Sequence, residues 1–145
     1  MKWSEYAIDS LKKHISRQTA LLNLGDRIKE LDAEFKSTKG AVTDRVPVKG
    51  GSSKNEDRLL NNIVERDELI QNYNAVERAV NRVERALGAL TERQRRVLDG
   101  FYIFRTDDYM DRLCDDLHVE IAQVYRLKDE ALKKFTLALY GTIEN

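Results

Sequence analysis

Seven apolar residues recur at alternating steps of four and three between positions 69 and 90, and no other feature constrains the fold as strongly. They are Leu69, Tyr73, Val76, Val80, Val83, Leu87 and Leu90. This spacing puts all seven on one stripe of an α-helix, the kind of seam along which two helices pack lengthwise. We therefore expect a long helix over about residues 55–88 that needs a partner helix.

A second amphipathic helix is predicted over about residues 4–36, where apolar side chains lie mostly three or four positions apart. These side chains are Leu11, Ile15, Leu21, Leu24, Ile28, Leu31 and Phe35. Residues 37–54 hold three of the seven glycines and the only proline, which predicts a flexible loop. Such a loop permits an antiparallel hairpin within one chain or a seam with a second copy. We expect the hairpin and leave a dimer seam open in addition.

The composition is that of an all-helical protein without a membrane span. One proline in 145 residues allows long helices, and 34% charged residues suit thin apolar stripes. No run of about 18 apolar residues occurs, and the N-terminus lacks the apolar segment of a signal peptide. The single cysteine cannot form an internal disulfide, so secretion is not indicated. We expect a soluble intracellular protein.

Residues with catalytic or metal-binding chemistry are sparse. His14 and His118 lack a cysteine or carboxylate at metal-site spacing, and Cys114 is expected to be a small core residue. No glycine-rich phosphate loop is present in the sequence. We therefore predict no enzymatic activity, no metal and no cofactor. Trp3 and Tyr6 are expected to be packing residues near the open end of the hairpin.

Two short helices are predicted at the start of the C-terminal third. Thr91 and Gln94 have capping-box spacing and begin a helix that runs to about Phe104. Thr106 or Asp107 caps the next helix, since both side chains can accept hydrogen bonds from helical N–H groups. These helices provide the first part of a compact helical motif.

A tight turn follows at Leu117–Glu120 and leads into a third helix from about Ile121. Val119 in the turn is expected to be buried, as are Val124 and Leu127 on the third helix. A short helix, a tight turn with a buried valine and a second helix form the helix-turn-helix pattern. The pattern predicts DNA binding.

Residues 90–135 resemble the fourth conserved region of bacterial sigma factors. The matching stretches are Leu90–Leu98, Leu113–Leu117, Val119, Val124, Leu127 and Ala131–Phe135. In its layout, a helical N-terminal part followed by a sigma-like helix-turn-helix, the chain resembles phage-encoded regulators of the ArpU and RinA type. The resemblance implies a phage or prophage transcriptional regulator in the cytoplasm of a bacterial host cell.

Two residues of the turn depart from the sigma-like pattern. His118 stands where glycine is usual, at a position that often needs a left-handed backbone, which histidine tolerates but does not favour. Glu120 stands where serine or threonine usually caps the recognition helix. Without a capping bond its carboxylate would face DNA phosphates, so both departures are expected to weaken DNA binding.

The exposed N-terminal face of the third helix is expected to read bases in the major groove. The candidate base-reading residues are Ile121, Ala122, Gln123, Tyr125 and Arg126. Glutamine pairs with adenine, arginine with guanine or phosphate, and isoleucine or alanine contacts a thymine methyl group. Ile121 has the alternative of packing inward.

Phosphate contacts are expected from basic residues on the helices beside the turn. The candidates are Arg93, Arg95, Arg96, Lys128 and Lys133, with Lys134 as a further one. Such contacts position a protein on DNA without reading its sequence. For the three arginines the alternative is an ordinary solvated surface, and for Lys133 and Lys134 that alternative is favoured.

The charge balance argues against strong DNA binding by a single copy. The chain has 25 basic and 25 acidic residues, and residues 91–145 hold 9 basic and 11 acidic ones. Five of these eleven acids are placed on the second short helix, at Asp107, Asp108, Asp111, Asp115 and Asp116. That helix could face away from DNA and present a docking surface, for example to host RNA polymerase.

The sequence thus predicts an all-helical protein of two parts. Residues 1–90 form a long antiparallel hairpin that oligomerises or braces the molecule, and residues 91–141 form a helix-turn-helix domain. We expect sequence-specific binding of double-stranded DNA by a homo-oligomer, with a dimer favoured because two weak half-sites add through effective concentration. Two alternatives stay open: a DNA-packaging protein resembling a small terminase subunit, and a protein-interaction module with a vestigial helix-turn-helix.

Overall fold

The computed structural model describes residues 2–43 and 51–142, with the backbone alone at 42, 43 and 51–53. Its helices are α1 (Trp3–Thr43), α2 (Gly51–Gly88), α3 (Glu92–Leu98), α4 (Tyr109–Leu117) and α5 (Ile121–Tyr140), with a π-helical turn at Asp99–Ile103. Over the two described ranges there is no β-strand. The prediction of an all-helical protein is therefore confirmed.

The two long helices occupy both ends of the segment 37–54 that was predicted to be a loop. Helix α1 continues to Thr43 and α2 already begins at Gly51, so both ends of the predicted loop are helical. Residues 37–43 include one glycine, Gly40, which costs a helix about 1 kcal/mol relative to alanine but does not stop it. The middle of the predicted loop, residues 44–50 with the proline, lies outside the described residues.

The chain forms two compact units, to which both long helices contribute. Unit 1 contains the residues up to Arg17 and those from Arg78 onward, and unit 2 contains Gln18–Glu77. The functional division into residues 1–90 and 91–141 stays a prediction. In space, however, the C-terminal helices group with the beginning of α1 and the end of α2.

In unit 2 the segments of α1 and α2 pack antiparallel, as the hairpin prediction requires. The Asn62 side chain donates a hydrogen bond of 2.7 Å to the Leu31 carbonyl, whereas the earlier Gly25 faces the later Tyr73, whose ring lies 3.7 Å from where a Cβ would stand. The predicted seam residues of this unit, Leu69, Tyr73 and Val76, are half-buried.

In unit 1 the C-terminal helices pack on a single apolar core together with both long helices. The core residues are Ala7, Leu11, Val83, Ala86, Leu87, Val97, Leu98, Phe101, Leu113, Leu117, Val124, Ala131 and Phe135. Three predicted seam residues, Val80, Val83 and Leu87, are buried in this unit. Since packing within the chain covers this stripe, a second copy has no access to it there.

The predicted capping box at the start of α3 is confirmed. The Gln94 backbone N–H donates to Thr91 Oγ1 at 3.1 Å, and the Thr91 N–H donates to Gln94 Oε1 at 3.0 Å. Two N–H groups at the helix start are thereby satisfied. Helix α2 also ends at Gly88, which leaves a short connection before α3.

The π-helical turn after α3 has no counterpart in the sequence-based expectation of one continuous helix. The Phe104 N–H donates to the Asp99 carbonyl at 2.7 Å, the wider closure of a π-helix. A Cβ at Gly100 would lie only 2.7–2.9 Å from Leu113 side-chain atoms. The absence of a side chain at Gly100 therefore lets the turn approach α4 closely.

Candidate nucleic-acid interface

Helix α4 ends in a left-handed residue, as expected from the sequence. His118 has φ 55° and ψ 45°, and it is the only non-glycine residue with positive φ in the described ranges. Its N–H and that of Val119 both donate to the Cys114 carbonyl, the latter at 3.2 Å. This closure resembles the Schellman ending of helices and turns the chain sharply after Leu117. The cap predicted for the other end, Thr106 or Asp107, is wrong, because α4 begins at Tyr109 with Asp108 preceding it.

The turn leads directly into α5. Val119 is half-buried against the core, and Glu120 has extended backbone at φ −85° and ψ 164°. The Gln123 and Val124 N–H groups donate to the Glu120 carbonyl, but the Glu120 side chain makes no capping bond. The exposed carboxylate therefore stands at the entrance of the helix, where DNA phosphates would approach.

Helix α5 has one buried face and one open face. Val124, Ala131 and Phe135 are fully buried in the core of unit 1. On the opposite side Ala122 and Arg126 are exposed. The first turns of α5 are therefore anchored through their buried face, and their opposite face is accessible to a partner.

The five predicted base-reading residues divide between neighbouring faces of α5. Ile121 and Tyr125, four residues apart, share one face and are 54% and 45% exposed. Ala122 and Arg126 share the outward face, whereas Gln123 is half-buried and accepts a 3.5 Å hydrogen bond from Arg126 Nη1. The alternative that Ile121 packs inward does not agree with its exposure.

Tyr125 extends this surface to a group of aromatic rings. Its ring meets Phe101 edge-on at a centroid distance of 5.7 Å, and Phe101 meets Tyr109 at 5.3 Å. The Lys128 ammonium lies 5.7 Å from the Phe101 ring centroid and 2.6 Å from Asp129 Oδ1. This predicted phosphate ligand is thus already engaged within the chain.

The charge of Lys128 is maintained by its neighbours. Burial lowers the pKa of Lys128, but the hydrogen bond to Asp129 and the nearby Tyr102 outweigh burial and raise the pKa above its ordinary value. Lys128 therefore stays protonated, and a DNA phosphate would have to compete with Asp129 for it. Lys133 and Lys134, the other predicted lysines, are exposed farther along the helix.

Of the three predicted arginines, only Arg93 lies at the turn itself. Arg93 Nη1 donates to the Leu117 carbonyl at 3.3 Å. One N–H of a guanidinium is used in this bond, and the exposed remainder of the group lies beside the entrance of α5.

The other two arginines bind carboxylates. Arg95 Nη2 lies 3.5 Å from Glu84 on α2, and Arg96 donates two hydrogen bonds to Asp116 Oδ2 on α4. The three side chains therefore do not form one common face. The sequence could not show this, because both acidic partners are distant in the chain.

The five aspartates predicted on the second short helix are exposed, with Asp107 and Asp108 just before α4 and the other three on it, and two of the five have basic partners. Asp116 binds Arg96, and Asp108 accepts hydrogen bonds from Thr106 and Arg112. The hydrogen bond from Thr106, followed by that from Arg112, lowers the pKa of Asp108. The remaining exposed aspartates are Asp107, Asp111 and Asp115.

Sequence reasoning missed a cavity between the π-helical turn and α4, which is lined by both charged and apolar side chains. The cavity has a volume of about 370 Å³ and is lined by Arg96, Asp99, Gly100, Phe104, Thr106, Tyr109 and Arg112. Burial raises the pKa of the Asp99 carboxyl, against the opposing effect of Arg95 and Arg96. No local signal reveals this cavity, because the π-helical turn forms through contact with α4.

Other kinds of site find no support in the geometry. Among the side chains the structure describes, no three His, Cys, Asp or Glu residues are grouped as metal ligands. Within the same ranges no helix combines the length and apolar character needed to cross a bilayer. Comparison with protein-family models, curated proteins and solved structures gives no match.

Proposed function

We propose that this protein is a sequence-specific regulator of transcription that binds double-stranded DNA through α5. One arrangement supports the proposal above all others: the turn His118–Glu120 leads into a helix exposed at Ala122, Tyr125 and Arg126. The opposite face is anchored by buried side chains such as Val124. A recognition helix needs both properties, since one face holds it while the other enters the major groove.

The outward face of α5 carries side chains suited to base edges. In our proposal Arg126 contacts guanine and Ala122 a thymine methyl group, while Ile121 and Tyr125 make apolar contacts along the groove. Gln123 contacts adenine after releasing Arg126, to which its side chain is bound in the free protein. A good bidentate pair contributes about 1–3 kcal/mol of discrimination between bases.

Backbone contacts are assigned chiefly to Arg93. Its position at the turn puts an exposed guanidinium next to the N-terminus of the proposed recognition helix. Arg95, Arg96 and Lys128 would first have to release Glu84, Asp116 and Asp129, respectively. Their contribution is therefore smaller than that of Arg93.

The lack of net positive charge favours a dimer. With equal numbers of acidic and basic residues, a single copy gains little general attraction to DNA. A dimer compensates for this weak attraction, because binding of one copy to its half-site raises the effective concentration of the other copy at the second half-site. We further propose that the exposed acidic face of α4 contacts host RNA polymerase, as suits a phage or prophage regulator of the ArpU and RinA type.

A protein-interaction module with a vestigial helix-turn-helix is the second candidate. It is favoured by the Glu120 carboxylate, which makes no capping bond, and by the exposed aspartates Asp107, just before α4, and Asp111 and Asp115, along it. Both features repel phosphates. In this alternative α5 serves only to complete the core of unit 1.

The decisive experiment is a selection from random DNA duplexes with protein of known oligomeric state. We expect an enriched sequence, and the double variant Gln123→Ala with Arg126→Ala should reduce preference for it by about tenfold or more. Arg93→Ala should weaken binding to all sequences alike and reduce the salt slope by about one. Lys36→Ala, an exposed charge change in unit 2, is the matched control and should change neither quantity.

Two outcomes would refute the proposal. One is the absence of any retained duplex at low salt, which would support the interaction module. The other is an unchanged preference in the double variant, which would remove α5 as the reading element.

A further inference from the structure

The cavity between the π-helical turn and α4, which we call the turn cavity, combines charged groups with an exposed aromatic ring. Arg96, Asp99 and Tyr109 in its lining are half-buried, whereas Phe104 and Arg112 are exposed. Its volume of about 370 Å³ lies at the lower end of the range of ligand pockets, about 300–1,000 Å³. A molecule of one or two rings is therefore the size of ligand that suits it.

The Asp99 carboxyl in this lining needs hydrogen-bond donors. Its Oδ1 is buried and has no hydrogen-bond partner in the part of the chain that the structure describes. Arg95 attracts the carboxyl electrostatically but binds Glu84. Arg96 likewise binds Asp116. A buried oxygen without a partner costs free energy, so the carboxyl favours a ligand that donates N–H groups.

The two guanidinium groups of the lining supply donors for the acceptors of a ligand. Arg112 binds Asp108 through Nε at 3.0 Å, and its Nη groups have no hydrogen bond to a described residue. Arg96 uses Nε and Nη2 for Asp116, so its Nη1 is left in the same way. Each Nη group has two N–H donors. The turn cavity can therefore satisfy donors and acceptors of one ligand together.

The Phe104 ring in the lining is largely uncovered. It is 61% exposed, the highest value among the large apolar side chains described in unit 1. The Tyr109 ring, by contrast, has the Arg105 guanidinium over it, 4.0 Å from its centroid. An uncovered aromatic ring offers a face on which a planar ligand stacks. Phe104 therefore favours a flat ring system as the ligand.

Ions of either sign are disfavoured by this lining. An anionic ligand would meet the carboxyl groups of Asp99 and of Asp108, which is bound to Arg112. A cationic ligand would meet the guanidinium groups of Arg96 and Arg112. A neutral ligand avoids both repulsions. Nucleobases are neutral and planar and carry donors beside acceptors, and guanine in particular has N–H donors next to a carbonyl acceptor.

We propose that the turn cavity binds a guanine base, as the free base or its nucleoside. Asp99 accepts hydrogen bonds from the ring N–H and the amino group, Arg96 and Arg112 donate to the carbonyl oxygen and N7, and the Phe104 ring stacks on the base. Adenine is disfavoured, because it has an acceptor where guanine has the ring N–H that Asp99 requires. The inference goes beyond the proposed function and does not depend on it, since the exposed face of α5 takes no part.

The test is isothermal titration calorimetry of the full chain with guanosine as the probe. We expect saturable binding below about 1 mM, with adenosine at least about tenfold weaker. Asp99→Asn should weaken guanosine binding by about tenfold or more, because an amide nitrogen replaces an acceptor oxygen. Phe104→Ala should weaken it by about fivefold or more through loss of stacking. Asp111→Asn, the same chemical change outside the lining, is the matched control and should leave binding unchanged.

Three results would overturn the inference: no saturable binding of guanosine up to about 1 mM, equal affinity for adenosine, or unchanged affinity in a folded Asp99→Asn variant. Circular dichroism shows whether each variant is folded. Guanosine 5′-monophosphate separates the nucleoside from the nucleotide as the source of the base. Weaker binding of the monophosphate supports the neutral ligand, and tighter binding overturns it. Because no DNA is present, a failure to bind guanosine refutes only this inference, and a failure to select DNA refutes only the proposed function.

Discussion

Units 1 and 2 are built from segments of the same two long helices, yet their interiors differ in kind. In unit 1 most residues between the helices are apolar and shielded by α3, α4 and α5, with Leu11 and Leu87 almost fully buried, and buried His14, whose Nε2 lies 2.7 Å from Glu84 Oε1, is the polar residue among them. In unit 2 polar Asn55 and Asn62 occupy buried positions, and Asn62 Oδ1 has no hydrogen-bond partner. Apolar burial stabilises a structure more than polar burial does, so stability should be concentrated in unit 1.

The comparison shows that segments of the same two helices differ in how completely other helices cover them. Where α3, α4 and α5 cover it, the hairpin shares one apolar core with them. Where only two helix segments meet, a large part of the surface stays exposed and local opening is easier. The predictions below compare the two units, beginning with the largest expected effect.

Removal of a core side chain should be more damaging in unit 1. Phe135→Ala empties a fully buried position and should lower the free energy of unfolding by about 3–5 kcal/mol. Leu31→Ala, its counterpart in unit 2, should have an effect near the lower end of about 2–5 kcal/mol, because two helices can close around the space. Urea denaturation of both variants measures the difference. Equal losses would contradict the uneven distribution of stability.

Glycine-to-alanine changes should have opposite signs in the two units. At Gly100 the new methyl group collides with Leu113, so we expect a loss of about 1–3 kcal/mol. At Gly40 nothing lies within 4 Å of the new Cβ, and the helix should gain about 0.5–1 kcal/mol. Thermal denaturation of the two variants measures whether each change raises or lowers stability. A stabilising Gly100→Ala would show that the π-helical turn is not pressed against α4.

The smallest expected effect concerns the buried carboxyl of unit 1. Burial raises the pKa of Asp99 in the folded protein, so the folded state holds its proton to higher pH than the unfolded chain does. The resulting stability is present below the unfolded pKa of about 4 and is lost as pH rises through the folded pKa. Asp99→Asn should therefore be more stable than wild type at neutral pH, with the difference vanishing toward pH 3.

Denaturation at several pH values measures this effect, with Asp111→Asn on the exposed face of α4 as the control. A gain for Asp99→Asn that is the same at every pH would exclude the buried charge as its cause. A loss at neutral pH would indicate that Asp99 is stabilised by Arg95 and Arg96 more than burial disfavours it.

Local physical chemistry in the sequence determined most of the helical framework. The 4-3 spacing identified α2, the Thr91 and Gln94 pair identified the start of α3, and the tight turn before Ile121 identified α5. All three depend on interactions within a few residues: helix periodicity, capping bonds, and the left-handed backbone that His118 adopts at the end of α4. Such interactions are the same wherever the segment lies in a protein.

Only the tertiary structure decided which side chains are available to a partner. It bound Arg95 and Arg96 to carboxylates on other helices, placed Arg93 at the turn, and left Ile121 exposed. It also brought Gly100 of the π-helical turn close to Leu113 on α4. These outcomes depend on groups that are distant in the chain, and no local pattern specifies which of several equivalent charges or surfaces will meet.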